Sequence, residues 1–447
     1  MTKIQLISAP VDKGEVPLYE DGVFAPLGLI WLGNYLQEYN HHIDILDGQH
    51  QNLKSIESKL DAPIVGINFN IFSTRSLDKI AETAKEKGST VVVGGQAATP
   101  LARELLTNSN IDYVVRYDGE EALRLLAEGF NPRQIPNLTY RYEDKVIDNP
   151  IHLMNLEKLP SINWSLKGIG IQKYWTKFEE VLKSVKTNHK HKKPLSSFTK
   201  KGCPMRQNDK GCSFCSRTDT TLRSKSPGQV HKEFQYLINQ GADRIEEFSD
   251  SWLYDKKWLK EFVEIIDKEG HWGAPVRVYA DTRHINPEVV ELAQKIGIDS
   301  IILGIESGNE QILRQNGKPN TIKQILYSVE LLGKGGVKAS PSYVLGLIGE
   351  SEETVEDTFR LAYQINNLCE IEMSYYSIMT PFPGSKAWKL LMTDSKMQRK
   401  HSGYRLNNQE LQKDFINKFT QLGKEGVNYL SEKMEEKFQK EVAQRDY

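Results

Sequence analysis

The chain has 447 residues, enough for two or three domains at roughly 150 residues each. Its 58 Lys and Arg balance 59 Asp and Glu to a formal net charge of -1, which excludes a protein that holds nucleic acid by phosphate neutralisation alone. With 39% hydrophobic and 26% charged residues the composition is that of a folded globular protein. Neither an export signal nor an apolar run of roughly 18 residues is present, so a cytoplasmic protein without membrane contact is expected.

In chain order, the first 130 residues alternate short β-branched runs with amphipathic stretches. Residues 3–9, 43–47, 64–69, 90–93 and 111–115 predict strands, each a near-continuous apolar run of the kind a parallel sheet buries on both faces. Between them, residues 27–39, 73–87, 99–107 and 120–128 place apolar side chains three and four apart and predict helices. Five such units predict an α/β, flavodoxin-like doubly wound parallel sheet over residues 1–150. A hairpin-like stretch from Pro136 to Lys145 follows, then Pro150 and Pro160 mark a boundary, and residues 151–194 are expected to be a linker. Its last part is a basic run, Lys186 to Lys193, carrying His189 and His191, whose plain reading is a solvated loop.

A second series begins near Leu195. Strands are predicted at 244–248, 276–280, 300–304, 339–345 and 372–378, with a sixth before Cys203, and helices such as 256–268 and 354–366 follow them. Six strands fit a partial (β/α)6 barrel over residues 195–391 better than a closed eight-fold one. Beyond Met392 the chain is polar and lysine-rich with a thin apolar stripe, which predicts a helical C-terminal region over 392–447 packed on the barrel.

Three of the four cysteines, Cys203, Cys212 and Cys215, fall within thirteen positions, while Cys369 lies alone in a helical-looking stretch. This is not a disulfide framework. Three gathered thiolates serve either zinc, with a fourth ligand such as His189 or His191, or a [4Fe–4S] cluster with one iron left open. The segment Gly202-Cys203-Pro204 through Cys215 resembles the cysteine motif of the radical S-adenosylmethionine (SAM) enzymes. The chain to about Leu391 resembles their branch with an N-terminal cobalamin-binding-type domain. The spacing departs from that family's usual three and two residues, because eight separate Cys203 from Cys212; this polar, Gly-terminated insertion is expected to bulge outward.

The resemblance implies that the three cysteines hold a [4Fe–4S] cluster and that Phe214 meets the adenine of SAM. It implies that Asp250, in Glu247-Phe248-Ser249-Asp250, lies near the SAM amino group. Glu306 and Ser307, in Gly304-Ile305-Glu306-Ser307-Gly308, would lie around the ribose and carboxylate, and Arg283 would belong to the same site. Gly346 to Glu350 and Pro381 to Ser385 match glycine-bearing turns of the family. These positions all follow strand-like runs, at the carboxyl ends where parallel α/β folds converge their loops on a ligand. In the first domain, Gly94 and Gly95 and the Ser73-Thr74 turn resemble cobalamin-binding turns. The Asp-x-His-x-x-Gly motif is missing, so no histidine ligand to cobalt is expected, and His41, His42 and His50 read as surface residues.

The implied cofactors are thus a [4Fe–4S] cluster, SAM and cobalamin, with an electron donor such as flavodoxin or ferredoxin. The implied reaction cleaves SAM to a 5′-deoxyadenosyl radical and methylates carbon on a small metabolite or peptide, nucleic acid not being expected as a partner. Two alternatives stand beside it: a radical SAM cyclase, oxidase or rearrangement enzyme that transfers no methyl from cobalamin, and a non-catalytic zinc-stabilised binding module.

Overall fold

The apolar runs of the first 130 residues become β1 (Lys3–Ser8), β2 (His42–Asp47), β3 (Ile64–Asn68), β4 (Thr90–Gly94) and β5 (Tyr113–Val115) in a computed structural model of the chain, which describes residues 1–12, 22–184 and 190–444. They pair in parallel in the order β2-β1-β3-β4-β5. Ile4, Leu6, Ile7 and Val65 have no exposure, as expected of strands covered on both faces. Helices Leu27–Glu38, Thr74–Glu86 and Glu120–Ala127 supply that cover. The second of these buries Leu77, Ile80, Ala81 and Ala84, one stripe at helical spacing. The hairpin-like stretch extends the same sheet as β6 (Leu138–Tyr142) and β7 (Lys145–Asp148), both antiparallel to their neighbours. A short helix, Leu53–Lys59, adds a crossover element the periodicity did not indicate; Asn52 caps it by accepting from Ser55 N. The helix expected over 99–107 is only the turn Ala102–Leu105.

The chain divides into two compact units, residues 1–181 with 392–408, and 182–391 with 409–447. Residues 151–181, read from sequence as linker, pack on the first unit: Trp164, Leu166 and Tyr174 are buried, and Ile45 N donates to Lys167 O at 2.9 Å along the outer edge of β2. The approach is so close that a side chain at Gly168, whose φ is +96°, would run into Ile45 O, and the exposed ladder of an edge strand is thereby covered. From the later segment Tyr404 is buried against Phe69 and donates to Asp78 at 2.5 Å.

In the second unit β8 (Pro194–Ser197) is followed by a two-residue ribbon, β9 (Lys200–Lys201) against β10 (Arg223–Ser224). Then come β11 (Arg244–Glu247), β12 (Val276–Ala280), β13 (Ile298–Glu306), β14 (Lys338–Leu345) and β15 (Tyr375–Ile378). The six long-range partners β8, β11, β12, β13, β14 and β15 are all parallel and sit in chain order, so the curled sheet is the partial barrel expected. Helices Asn408–Phe419 and Gly426–Gln444 put Phe415, Ile416 and Leu430 into a core with Leu345, Leu347, Val355 and Met379. Among the described residues no helix is long and apolar enough to cross a membrane. Residues 186–189 of the basic run, His189 included, lie outside the described residues.

Candidate active site

The cysteines lie on the loop between β9 and β10. Gly202 opens it at φ +86°, where a side chain would run into Thr221 O, so glycine is what lets the two limbs close. Cys203 precedes a 3-10 turn, Pro204–Asp209. The Cys212–Cys215 turn closes through Cys215 N to Cys212 O at 3.2 Å and is clamped from three later loops. Ser213 donates its N to Asn316 O at 2.9 Å and its Oγ to Asn316 Oδ1 at 2.6 Å, and its own carbonyl accepts from Ala387 N at 2.9 Å. Buried Asn316 in turn donates to Ile312 O and Ile348 O. Strand-end loops after β13, β14 and β15 therefore fix where the thiols point.

The three thiols are half-buried and sense one another. Burial, above all, pushes Cys203 up and Cys212 up to about 12. Among the described residues no three His, Cys, Asp or Glu side chains close on one ion-sized centre.

Next to Cys212 stands a buried charge network. Glu306 ends β13 at a register shift, with φ +69°, a strained conformation for a residue with a side chain. Its Oε1 accepts from Lys318 Nζ at 2.9 Å, and Lys318 also lies 3.6 Å from Asp281 Oδ2. Its Oε2 accepts no hydrogen bond among the described residues. A side chain at Gly304 would strike both Glu306 Oε1 and Lys318 Nζ. Burial works against the Lys318 charge, but Glu306 and Asp281 more than offset it and raise its pKa. Burial likewise opposes the Asp281 charge, and Lys318 with Arg283 more than offsets that, holding the carboxyl well below its usual range. Arg283 Nε reaches Asp281 at 2.8 Å while its terminal nitrogen touches Met205 Sδ on the cysteine loop.

Of the residues expected at SAM, the structure brings Glu306 and Arg283 to the cysteine loop. Phe214 lies partly buried against the Leu345 and Phe415 core. Ser307 is fully buried, its Oγ 3.4 Å from Thr358 Oγ1 and accepting from Asn309 N, so it acts from beneath the turn. Asp250 has both oxygens on guanidiniums, Oδ2 on Arg206 at 2.5 Å and Oδ1 on Arg217 at 3.3 Å. The insertion between Cys203 and Cys212 does not simply bulge outward, because Arg206 within it is buried and turned back onto Cys215. At Gly346, φ +81°, the missing side chain makes room for Ile416 of the C-terminal helices, and Gly349 N donates to Phe419 O at 2.8 Å. That turn is built against the tail. Cys369 lies past the end of helix Glu352–Asn366, its thiol 3.2 Å from Val337 O. Sequence reasoning missed Arg206, Asp281, Asn316 and Lys318. Only Asp281, directly after β12, carried a strand-end signal.

In the first unit the loops after β3 and β4 meet. Gly95 has φ +101°, and a side chain there would run into Asn68 Oδ1, whereas one at Gly94 would meet nothing nearer than Val115 O at 3.8 Å. A side chain at Gly94 would thus meet only ordinary van der Waals contact at the carboxyl end of β4. Ser73 is buried and donates to Asn70 O, and Thr74 starts the following helix with its Oγ1 3.4 Å from Asp12, which also accepts from Arg75 N. Asp47 accepts from Tyr174 OH at 2.5 Å. His42 is exposed and His50 is half-buried against Tyr174. His41, by contrast, is buried, at the amino end of the sheet and away from these loops, with burial lowering its pKa.

Residues 198–362 match the family model of the radical SAM superfamily, and residues 21–127 match that of the B12 binding domain. The chain thus carries a radical SAM domain and a B12-binding domain, and the cofactors of these two domains are a [4Fe–4S] cluster with SAM, and cobalamin. It is 28% identical over 392 residues to an uncharacterised methyltransferase of Pyrococcus horikoshii, covering 83% of this chain and 79% of the relative. It is 23% identical to the anaerobic magnesium-protoporphyrin IX monomethyl ester cyclase of Rubrivivax gelatinosus, covering 83% and 67%. Its fold is similar to that of the radical SAM methyltransferase TsrM from Kitasatospora setae, solved with cobalamin and [4Fe–4S] cluster bound, with a TM-score of 0.69 at 16% identity over 86% of this chain and 74% of that one.

Proposed function

We propose that this chain is a cobalamin-dependent methyltransferase acting on carbon of a small metabolite or peptide, with Cys203, Cys212 and Cys215 as the cluster ligands. The observation that carries the reading is the cysteine turn, held by Asn316 beside the Glu306–Lys318–Asp281 network at the carboxyl ends of the second sheet. When bound, the cofactors supply one-electron cleavage of SAM and carriage of a methyl group. The chain's own residues do the rest. Three thiols, deprotonated on metal binding, leave one coordination position to SAM. Glu306 offers Oε2 to a hydroxyl or ammonium of SAM, and Lys318 holds that carboxylate by its other oxygen at 2.9 Å. Arg283 and Phe214 border the same loop, Ser307 supports the turn that presents Glu306, and Asp250 enters through Arg206. In the first unit Gly94 and Gly95 with Ser73 and Thr74 form the turns that would hold cobalamin, and the missing Asp-x-His-x-x-Gly motif offers no histidine to it. Electrons come from a low-potential donor of the flavodoxin or ferredoxin class.

The test is anaerobic reconstitution with iron, sulfide and hydroxocobalamin, followed by a one-electron reductant and SAM labelled in its methyl group. About four irons and one corrinoid per chain are expected, with label appearing on the corrinoid before any substrate is added. The similarity to a cyclase favours a second reading, radical chemistry without methyl transfer. Formation of 5′-deoxyadenosine with no label on the corrinoid would select it. Stoichiometric zinc without sulfide would refute both.

A further inference from the structure

We propose that Arg206 is a positioning residue that tunes the electron affinity of the cluster through a hydrogen bond to Cys215. The inference rests on the reading of Cys215 as a cluster ligand. Arg206 stands in the eight-residue stretch between Cys203 and Cys212, the part of the motif that departs from the family spacing. Its backbone N donates to Cys203 O at 2.9 Å, which turns the chain inward, and its side chain is buried. Each guanidinium nitrogen has its own acceptor: Nε donates to Asp219 O at 3.0 Å, one terminal nitrogen to Asp250 Oδ2 at 2.5 Å and the other to Cys215 Sγ at 3.2 Å. Arg217 backs Asp250 from its other oxygen at 3.3 Å. Gly211, the residue before Cys212, makes room for the fold-back, since a side chain there would meet Arg206 Cγ at 2.9 Å.

Burying a guanidinium is costly unless every donor is matched. Here one donor is matched by a sulfur, which is a weak acceptor as a thiol and a strong one as a metal-bound thiolate. When the cluster takes one electron from its donor, the added negative charge spreads onto the thiolate sulfurs. An N–H pointed at one of them stabilises the reduced form and raises the reduction potential. Asp250 fixes the fork in place and moderates its charge. Lysine has three donors on one nitrogen and lacks the planar fork that spans these separated acceptors.

The test is a potentiometric titration of the anaerobically reconstituted full chain, followed by the electron paramagnetic resonance of the reduced cluster, in wild type, Arg206→Met and Arg206→Lys. All three are expected to hold about four irons. At a fixed potential near the wild-type midpoint, Arg206→Met should show a roughly tenfold lower ratio of reduced to oxidised cluster, about 59 mV for one electron. Arg206→Lys, which keeps the charge without the fork, should fall between. Coupling of an exchangeable proton to the reduced cluster should be present in the wild type and lost in Arg206→Met. An unchanged midpoint in an iron-replete Arg206→Met overturns the inference and leaves the cluster reading standing. Loss of iron from both variants also overturns it, making Arg206 a folding element of the loop. A Cys215→Ala chain with a full, unaltered cluster overturns the reading and the inference together.

Discussion

Replacing Lys318 by Met removes the one cation between Glu306 and Asp281. The ammonium lies 2.9 Å from one carboxylate and 3.6 Å from the other, and all three side chains are buried. Removing one member of a buried ion pair costs about 3–5 kcal/mol, and here Glu306 loses its ammonium while Asp281 keeps Arg283. For a unit of this size that corresponds to a fall of about 10 °C in melting temperature. Differential scanning calorimetry of the full chain would resolve it as a shift in the transition of the second unit. The pH dependence supplies an independent check. The folded-state pKa of Asp281 is depressed, so its contribution is present above the unfolded value and is lost as acid passes the folded one. That of Lys318 is raised, so its contribution is complete below the unfolded value and disappears only as alkali passes the folded one. Both are therefore in force across the neutral range. Without Lys318 the Asp281 carboxylate keeps Arg283 but loses its largest source of stabilisation, so its pKa rises and the variant should recover stability relative to wild type as the pH falls through the carboxylate range. Adding Glu306→Gln should restore part of the loss, since the pair is then removed as a unit. A Lys318→Met chain that melts with the wild type at every pH would refute the account of the network.

Three further outcomes are expected. Gly94→Leu should abolish cobalamin retention, read as corrinoid absorbance after gel filtration, while iron content and melting temperature hold, because its Cβ would meet nothing nearer than Val115 O at 3.8 Å; Gly95→Leu should lower the melting temperature as well, its φ and Asn68 standing against any side chain. Cys369→Ala should keep about four irons per chain, since its thiol serves Val337 O, whereas alanine at Cys203, Cys212 or Cys215 should lose them. Glu350, fully buried with its pKa pushed up by burial to about 7, should make the second unit lose about 3 kcal/mol of stability as the pH rises from 4.5 through 7 and beyond; Glu350→Gln should flatten that slope in denaturant titrations at several pH values, and an unaltered slope would refute it.

Much of this architecture was legible because it is local. A strand buried on both faces writes itself as a run such as Val91-Val92-Val93, and a helix as the spacing of Leu77, Ile80, Ala81 and Ala84. The glycine turns were legible too, although what fills the space beside them was not: at Gly346 it is Ile416, seventy positions later. Pairings between distant residues leave no local period. Lys318 with Glu306 and Asp281, Asn316 with Ser213, and Tyr174 with Asp47 could be found only in the fold. Arg206 was hidden for another reason. A polar, Gly-terminated insertion has the composition of an outward loop, and the inward turn depends on acceptors at Asp219 and Asp250. Residues 151–181 look like a connector because Pro160 and the serines beside it break periodicity, yet tryptophan and tyrosine within them find a core already built.

The dependence of the Gly346–Glu350 turn on the tail has a consequence in time. The cysteine turn is braced by Asn316, Asn316 by Ile348, and Gly349 by Phe419. A ribosome adding 5–20 residues per second makes Cys215 roughly 10–40 seconds before it makes the roughly 200 residues that end at Phe415 and Phe419. During that interval the thiols are synthesised but their brace is not, so iron and sulfide meet a finished cradle only once translation has run nearly to the end of the second unit. The cysteine turn therefore gains its full brace only when these last helices are in place.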